Sequence, residues 1–304
     1  WLLEHADEDS DGVPGWGVPV AWDAFQDGST NPPNTEYTIA TAVVIKALLD
    51  CAEKALFFPP DSIRGLVRKC LIPFLDTRTH STTGLVGYSF ESTDLKYDCY
   101  NPSASISGQL QRYAQYERDE KLRSRMTQIA DTTMSLLLSS RQIDQNGGWY
   151  WSYSVQEKNL PNDLCHALYI VDGIFAYVHN NGKYSNLFDT LAILRHIELF
   201  SDPSHTQWYR FPQLRNQANT HPPRTYEVGM ALAFVSGHDR GNQRVHGLLR
   251  LLNEYKSSNG HFARYPIKFE NPRIIAEYES YVRYGAAMAM YRNTDPTLVR
   301  NTSS

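Results

Sequence analysis

Residues 162–178, "NDLCHALYIVDGIFAYV", carry Asp163 and His166 three positions apart, so a helix brings carboxylate and imidazole to one face. Similar groups open four other segments. Arg224, Tyr226 and Glu227 begin "RTYEVGMALAFVSG", and Tyr278, Glu279 and Arg283 lie in "EYESYVRYGAAMAMYR", the last two sharing a face at four apart. Glu36 and Tyr37 begin "EYTIATAVVIKALLDCA", and Tyr100 and Asn101 stand at the start of "NPSASISGQLQRYAQYE". Two chemistries use such groups. Glycoside hydrolysis needs one protonated and one ionised carboxyl across the scissile bond, and Asp23, Asp27, Glu36, Asp163, Glu227 and Glu279 could supply them. Epimerisation or elimination at a uronic acid needs a base for the proton beside the carboxylate, an acid and a charge clamp. His166, Tyr37, Tyr100, Tyr226 and Tyr278 can serve as acid or base, with Arg224 or Arg283 as clamp. The density of Tyr and Arg favours this second chemistry.

Each of these residues has a structural alternative. Carboxylates in a first helical turn favour the helix dipole without any catalysis. His166, between apolar neighbours, can be a satisfied core histidine. Arg224 and Arg283 are harder to absorb in that way, because an inner guanidinium needs an anionic partner: Glu227, Glu279 or a substrate carboxylate. The predicted catalytic set is therefore His166, Asp163, Tyr226, Glu227, Glu36, Tyr100 and Glu279.

The elements that position this set come from self-similarity. Gly/aromatic clusters start at Gly15 ("GWG"), Gly87 ("GYSF"), Gly147 ("GGWYW"), Trp208 ("WYRFP") and Gly260 ("GHFARYP"), separated by 72, 60, 61 and 52 residues. Each is followed by a polar stretch, a helix rich in Ala, Gly and apolar residues, and then a more charged helix. In 122–137, Leu122, Met126, Ile129, Thr133 and Leu137 form one stripe, the mark of a surface helix. In 164–178, Leu164, Leu168, Val171, Phe175 and Val178 make one apolar face, and Ala167, Ile170, Ile174 and Tyr177 make another. A helix apolar on two sides belongs inside a ring of others.

Inner and outer helices repeated about five times predict an all-α fold, an α/α toroid of five to six hairpins, closed or incomplete, as a single domain over 1–304 with 294–304 as a flexible tail. "WLLEH" reads as the end of an outer helix. Asn101 before Pro102, Asn162 after Pro161, and Asn34 or Thr35 after Pro32-Pro33 are the predicted N-caps, which aim all inner helices the same way. The long aromatic loops then gather at one rim. Rings beside polar groups suit sugars, so Trp16, Trp22, Tyr37, Tyr88, Trp149, Trp151, Trp208, Arg224, His261, Tyr278 and Arg283 form the predicted substrate-binding set. The competing role for the rings is to plug the mouth of the barrel.

Composition narrows the partners. With 41% hydrophobic and 20% charged residues and a net charge of −4, the chain reads as a soluble globular protein without the basic footprint a nucleic acid requires. No apolar run reaches the roughly 18 residues of a membrane span. No secretory signal is visible, but the chain begins without Met, so the expected compartment is the cytoplasm or, after removal of an upstream segment, the periplasm or exterior. Cys51, Cys70, Cys99 and Cys165 show no CxxC spacing and read as buried thiols. Cys165 and His166, being adjacent, should diverge around a helix and make a poor zinc pair. "DEDSDG", Asp7 to Gly12, begins like a calcium loop, but Val18 stands where the closing acid belongs, so a solvated acidic turn is expected. Without GxGxxG or a P-loop, nucleotide binding has no support. No metal or cofactor is predicted.

The order of turns and helices resembles the α/α-toroid superfamily. "LLSSRQIDQNGGWYW" is similar to the glutamine–tryptophan turns of terpenoid cyclases, whose aspartate-rich motifs are absent here. The Cys/His zinc set of lanthionine cyclases is not evident. "NDLCHALYIVDGIFAY" looks like the inner-helix Asp–His segment of toroids from bacterial polysaccharide gene clusters, a group similar to the glucuronyl C5-epimerase catalytic domain. The resemblance implies an enzyme acting on an oligo- or polysaccharide. The alternatives are a non-catalytic carbohydrate-binding or scaffolding toroid and a terpenoid-cyclase-like protein with an apolar cavity.

Overall fold

The computed structural model describes residues 4–7, 12–17, 20–21, 32–55, 58–76, 81, 83–89, 98–214, 222–238, 242–256, 262–263 and 265–266. Among these residues the chain runs through α1 (Thr38–Glu53), α2 (Pro60–Leu71), α3 (Tyr100–Ala114), α4 (Glu120–Ser140), β1 (Gln142–Ile143), β2 (Trp149–Tyr150), α5 (Leu164–His179), α6 (Thr190–Glu198), α7 (Thr225–His238) and α8 (Asn242–Asn253). It groups into two compact units. The first comprises Trp1–Gln142, Tyr150–Pro161 and Tyr169–Thr190, and the second comprises Ile143–Trp149, Asn162–Leu168 and Leu191–Ser304. The predicted fifth inner helix, the 294–304 tail and the first three residues of "WLLEH" lie outside the described residues, and Glu4 and His5 form a turn.

The two expected helix types alternate. Every residue of α3 is buried, because its Ser, Ala and Gly side chains let neighbouring helices approach closely. A Cβ on Gly108 would lie 2.4 Å from the Gly173 carbonyl oxygen, and one on Gly173 would lie 2.2 Å from that of Ala104. α4 is one-sided: Met126, Ile129, Thr133 and Leu137 of the predicted stripe are buried, joined by Ala130, Met134 and Leu138. Asp119 caps it by accepting from the backbone N–H groups of Lys121 and Leu122. The "NGGWYW" stretch, expected as a loop, is a small hairpin between β1 and β2. Asp144 accepts from the N–H groups of Asn146 and Gly148, and its other oxygen lies 2.9 Å from His196 Nδ1.

One rule links the start of each described inner helix to the Gly/aromatic cluster that comes next in sequence. Thr38 at the start of α1 donates its N–H to the Tyr88 carbonyl (2.9 Å) and its hydroxyl to that of Gly87 (2.6 Å). Tyr100 of α3 donates to the Tyr153 carbonyl (3.4 Å), and Leu164 of α5 to that of Arg210 (2.9 Å). Thr225 of α7 donates its hydroxyl to the Ala263 carbonyl. The backbone bonds at α1, α3 and α5 satisfy N–H groups that a helix start otherwise leaves orphaned, and at α7 the link is a side-chain hydroxyl.

The predicted caps are corrected accordingly. Tyr37 and Cys99, both extended and bridged to Ser89 and Ser154, occupy the N-cap positions of α1 and α3 in place of Asn34 or Thr35 and Asn101. Asn34 instead turns the chain with φ 64°. Before α5 the side chain that accepts from the helix is Asp163, one residue beyond Asn162.

Within the first unit, Arg112 of α3 ties to α1: its Nη2 reaches Asp50 Oδ1 and Glu53 Oε2 at 2.6 Å, and its Nε reaches Glu53 Oε1 at 2.9 Å. Burial works against the guanidinium's charge, and Glu53 and Asp50 overcome that penalty and raise its pKa. Cys51, Cys70, Cys99 and Cys165 are free thiols, the last three buried, and burial pushes Cys70 up to about 12. Arg112→Ala is expected to cost about 3 kcal/mol in urea unfolding by stranding two acids. Gly173→Ala is expected to cost about 2 kcal/mol by forcing two backbones apart.

Candidate active site

Four charged side chains of the second unit meet at the starts of α5 and α7. Asp163 stands immediately before Leu164, and its Oδ1 accepts from the His166 backbone N–H at 3.0 Å, an N-cap bond. The same oxygen lies 2.6 Å from His166 Nδ1, so the three-residue spacing brings the ring back over the cap. Glu227 sits in the first turn of α7, and its Oε2 accepts from the Arg224 backbone N–H at 2.6 Å, the carboxylate half of a capping box. Its Oε1 takes Arg224 Nε at 3.1 Å and Nη2 at 2.8 Å. Arg224 Nη2 also bonds Asp163 Oδ2 at 3.0 Å, so one guanidinium nitrogen joins both carboxylates. Arg210, in the "WYRFP" cluster, adds Nη2 to Asp163 Oδ2 at 3.3 Å and lies 3.6 Å from Glu227 Oε1 through Nε.

The environments of the two acids drive them apart. Burial alone would raise Asp163, but its pairing and hydrogen bonds with His166, followed by Arg224, hold it well below the usual carboxylate range. Glu227 is fully enclosed, and burial together with the neighbouring Asp163 charge raises it despite Arg224. Burial also raises the Tyr226 phenol, helped by Cys165 and Glu227, so its proton stays on at neutral pH. The Arg224 guanidinium stacks on the Tyr226 ring at 4.6 Å. His166 is the accessible member of the first pair, with its side chain 29% exposed against 5% for Asp163.

The expectation that Cys165 and His166 diverge is corrected. Their ligand atoms and one of Asp163 lie within 4.8 Å of one another, because the first turn brings both toward the cap. The set still does not suit a divalent cation. Asp163 already faces two guanidiniums and His166, and Cys165 Sγ packs 3.6 Å from Met230 Sδ. A cluster this charged also differs from the aliphatic cavity that a terpenoid-cyclase-like reading requires.

The other predicted residues fall elsewhere. Glu36, Tyr37, Tyr100 and Trp16 belong to the first unit and are buried there, with the rings of Tyr37 and Tyr88 5.3 Å apart. Trp151 is enclosed, its indole donating to the Leu137 carbonyl at 2.8 Å. Trp208 is enclosed in the second unit beside its bridge to Ser201. These tryptophans are buried, whereas Trp149 and Tyr88 are half-buried. Trp22, Asp23, Asp27, His261, Tyr278, Glu279 and Arg283 lie outside the described residues, as do Glu8 to Asp11 of the acidic turn, in which Gly12 N–H reaches Asp7 at 3.4 Å. Arg210 is the residue that sequence reasoning missed. Its signal was its place in the cluster following the Asp163 helix.

No protein-family model matches the chain, and no curated protein matches it by sequence. Solved structures do match. A D-mannose isomerase superposes with a TM-score of 0.59 at 13% identity, over 99% of this chain and 83% of that one. A glycosyl hydrolase of family 88 from Bacteroides vulgatus gives 0.56 at 10% identity, over 96% and 84%. A glycoside hydrolase of family 105 from C. acetobutylicum gives 0.57 at 13% identity, over 88% and 83%. The fold is an α/α toroid. At these identities the likeness is one of fold, and no helix among the described residues is long and apolar enough to cross a membrane.

The shifted carboxyls have opposite consequences for stability. Asp163, depressed below its ordinary 3.8, contributes stability that is present above that value and lost as pH falls through its lowered pKa. Glu227, raised above 4.5, favours the folded state at low pH and weakens it as pH rises. Asp163→Asn is expected to cost about 3 kcal/mol in urea unfolding at neutral pH, with the deficit narrowing below about pH 4.

Proposed function

We propose that the chain is a carbohydrate-active enzyme that moves a proton at the carbon beside the carboxylate of a uronic-acid-containing oligo- or polysaccharide, with epimerisation or elimination as the outcome. The observation that carries this reading is the 2.6 Å contact between Asp163 and the accessible His166, within reach of two guanidiniums. In this mechanism His166 takes the proton, and Asp163 orients the ring and balances its charge. Arg210 and Arg224 stabilise the negative charge that develops on the substrate carboxylate. Tyr226, held protonated, donates: to the opposite face of the carbon in epimerisation, or to the departing oxygen in elimination. The carbohydrate names of the three similar folds support a sugar substrate, and the resemblance of the Asp–His segment to polysaccharide-cluster toroids and the glucuronyl C5-epimerase domain supports a uronate.

Hydrolysis by paired carboxylates has less support. Asp163 and Glu227 both bond Arg224 Nη2, so a guanidinium occupies the space where a glycosidic bond would have to sit. Glu227 is assigned to positioning Arg224. Glu36, Tyr37, Tyr88, Tyr100 and the tryptophans stay in the proposed substrate-contacting set, but the acid–base step requires none of them. The proposal keeps 1–304 as one domain, for which a single calorimetric transition is expected.

The test is proton exchange. The protein is incubated in D₂O with alginate, polygalacturonate and heparosan, and deuterium at the uronate carbon is read by NMR and unsaturated product by ultraviolet absorbance. Wild-type protein is expected to exchange or eliminate on at least one of them. His166→Ala and Asp163→Asn should fall by about a hundredfold or more, and Arg210→Gln should mainly raise KM. Release of reducing ends without exchange, or exchange that survives His166→Ala, would overturn the assignment.

A further inference from the structure

α4 changes character along its exposed side. Its first turns carry Glu120, Lys121, Arg123 and Arg125, whereas from Thr127 onward most outward positions are short and hydroxylic, namely Thr127, Thr132, Ser135 and Ser139, with Gln128 among them. Short side chains leave a depression, and the turn after α5 closes it. The resulting groove, open to solvent, has a volume of about 440 Å³ and is lined chiefly by Gln128, Asp131, Thr132, Ser135, Lys183 and Tyr184, all residues of the first unit. That volume falls in the range of small-molecule sites.

The walls are fixed in place. Tyr177, fully buried on α5, donates its hydroxyl to Asp131 Oδ1 at 2.5 Å and accepts the Tyr184 N–H at 2.9 Å. Lys183 N–H reaches the same Asp131 oxygen at 3.3 Å. Asn181 bends the chain with φ 54°, and Gly182 lies so close to the Tyr177 ring that a Cβ there would approach to 2.1 Å. The turn therefore presents Lys183 and Tyr184 against α4 in one geometry, with Lys183 Nζ 5.2 Å from the Tyr184 ring centroid.

We propose that this groove is a second carbohydrate-binding site, which holds one or two sugar units of an oligosaccharide on the outer side of α4. Its chemistry is that of a polyol receptor. The Asp131 carboxylate accepts from neighbouring sugar hydroxyls, and Lys183, Gln128, Thr132 and Ser135 donate to others. Tyr184 offers ring surface to sugar C–H groups. A single ammonium balanced by a carboxylate, without a guanidinium fork, is a poor match for phosphate and a good one for hydroxyls. Nothing about the groove requires the Asp163–His166 cluster to be catalytic, so either assignment can fail alone.

Affinity electrophoresis of the full chain through gels containing xylan, mannan, alginate or polygalacturonate tests it. At least one polysaccharide should retard the wild-type protein. Tyr184→Ala, which removes the ring, and Ser135→Trp, which fills the groove from an exposed helix position, should each weaken that retardation about tenfold. The variants are read only where their circular dichroism and melting match wild type, and Ser135→Trp, on solvent-facing helix, serves if Tyr184→Ala misfolds. No retardation in any gel, or retardation unmoved by a folded groove variant, would each overturn the proposal.

Discussion

An inner helix of a toroid begins where it can least afford to, with its first N–H groups surrounded by protein rather than water. Each such donor left unpaired costs on the order of 1–3 kcal/mol. The chain meets this constraint non-locally at α1, α3 and α5, whose first N–H groups bond the carbonyls of Tyr88, Tyr153 and Arg210 in the next Gly/aromatic cluster, while α7 reaches Ala263 of its next cluster through the Thr225 hydroxyl. The clusters are therefore part of the helix ends. Their glycines permit the turns, as at Gly147 with φ 74°, and some of their rings are buried, as Trp151 and Trp208 are.

The charged cluster of the second unit grows from the same requirement. Asp163 and Glu227 are where they are because α5 and α7 need acceptors at their starts. Once two carboxylates are buried there, guanidiniums must follow, and Arg224 and Arg210 supply them. His166 is a part-exposed partner of Asp163 beside these four charges, and the proposed mechanism gives it the proton transfer. The charged cluster is built on capping.

Helix order and type were legible in the sequence because inner and outer positions impose different side-chain sizes, so "NPSASISGQLQRY" and "EKLRSRMTQIADTTMS" announce their surroundings residue by residue. Helix starts were legible only to within a few residues. Asn101-Pro102 carries a strong local capping signal, but the backbone at Cys99 is claimed by Ser154, a partner more than fifty positions away that no local pattern reveals. Asp163 and His166 could be paired from spacing. Arg210 could not, because it reaches Asp163 from a loop 47 residues on. The tryptophans were ambiguous in principle: a ring that walls a cleft and a ring that plugs a junction have the same letter, and only burial separates Trp149 from Trp151.

The double duty of Asp163 and Glu227 bears on how such a chain diverges. A catalytic acid on a free loop can be lost and regained with little penalty, so activity drifts readily among descendants. Here the oxygens that would tune a reaction also terminate two helices, and a lineage that abandons the chemistry still needs an acceptor at both places. Descendants that no longer turn over substrate would be expected to keep the acids while the imidazole and the outer guanidinium change first.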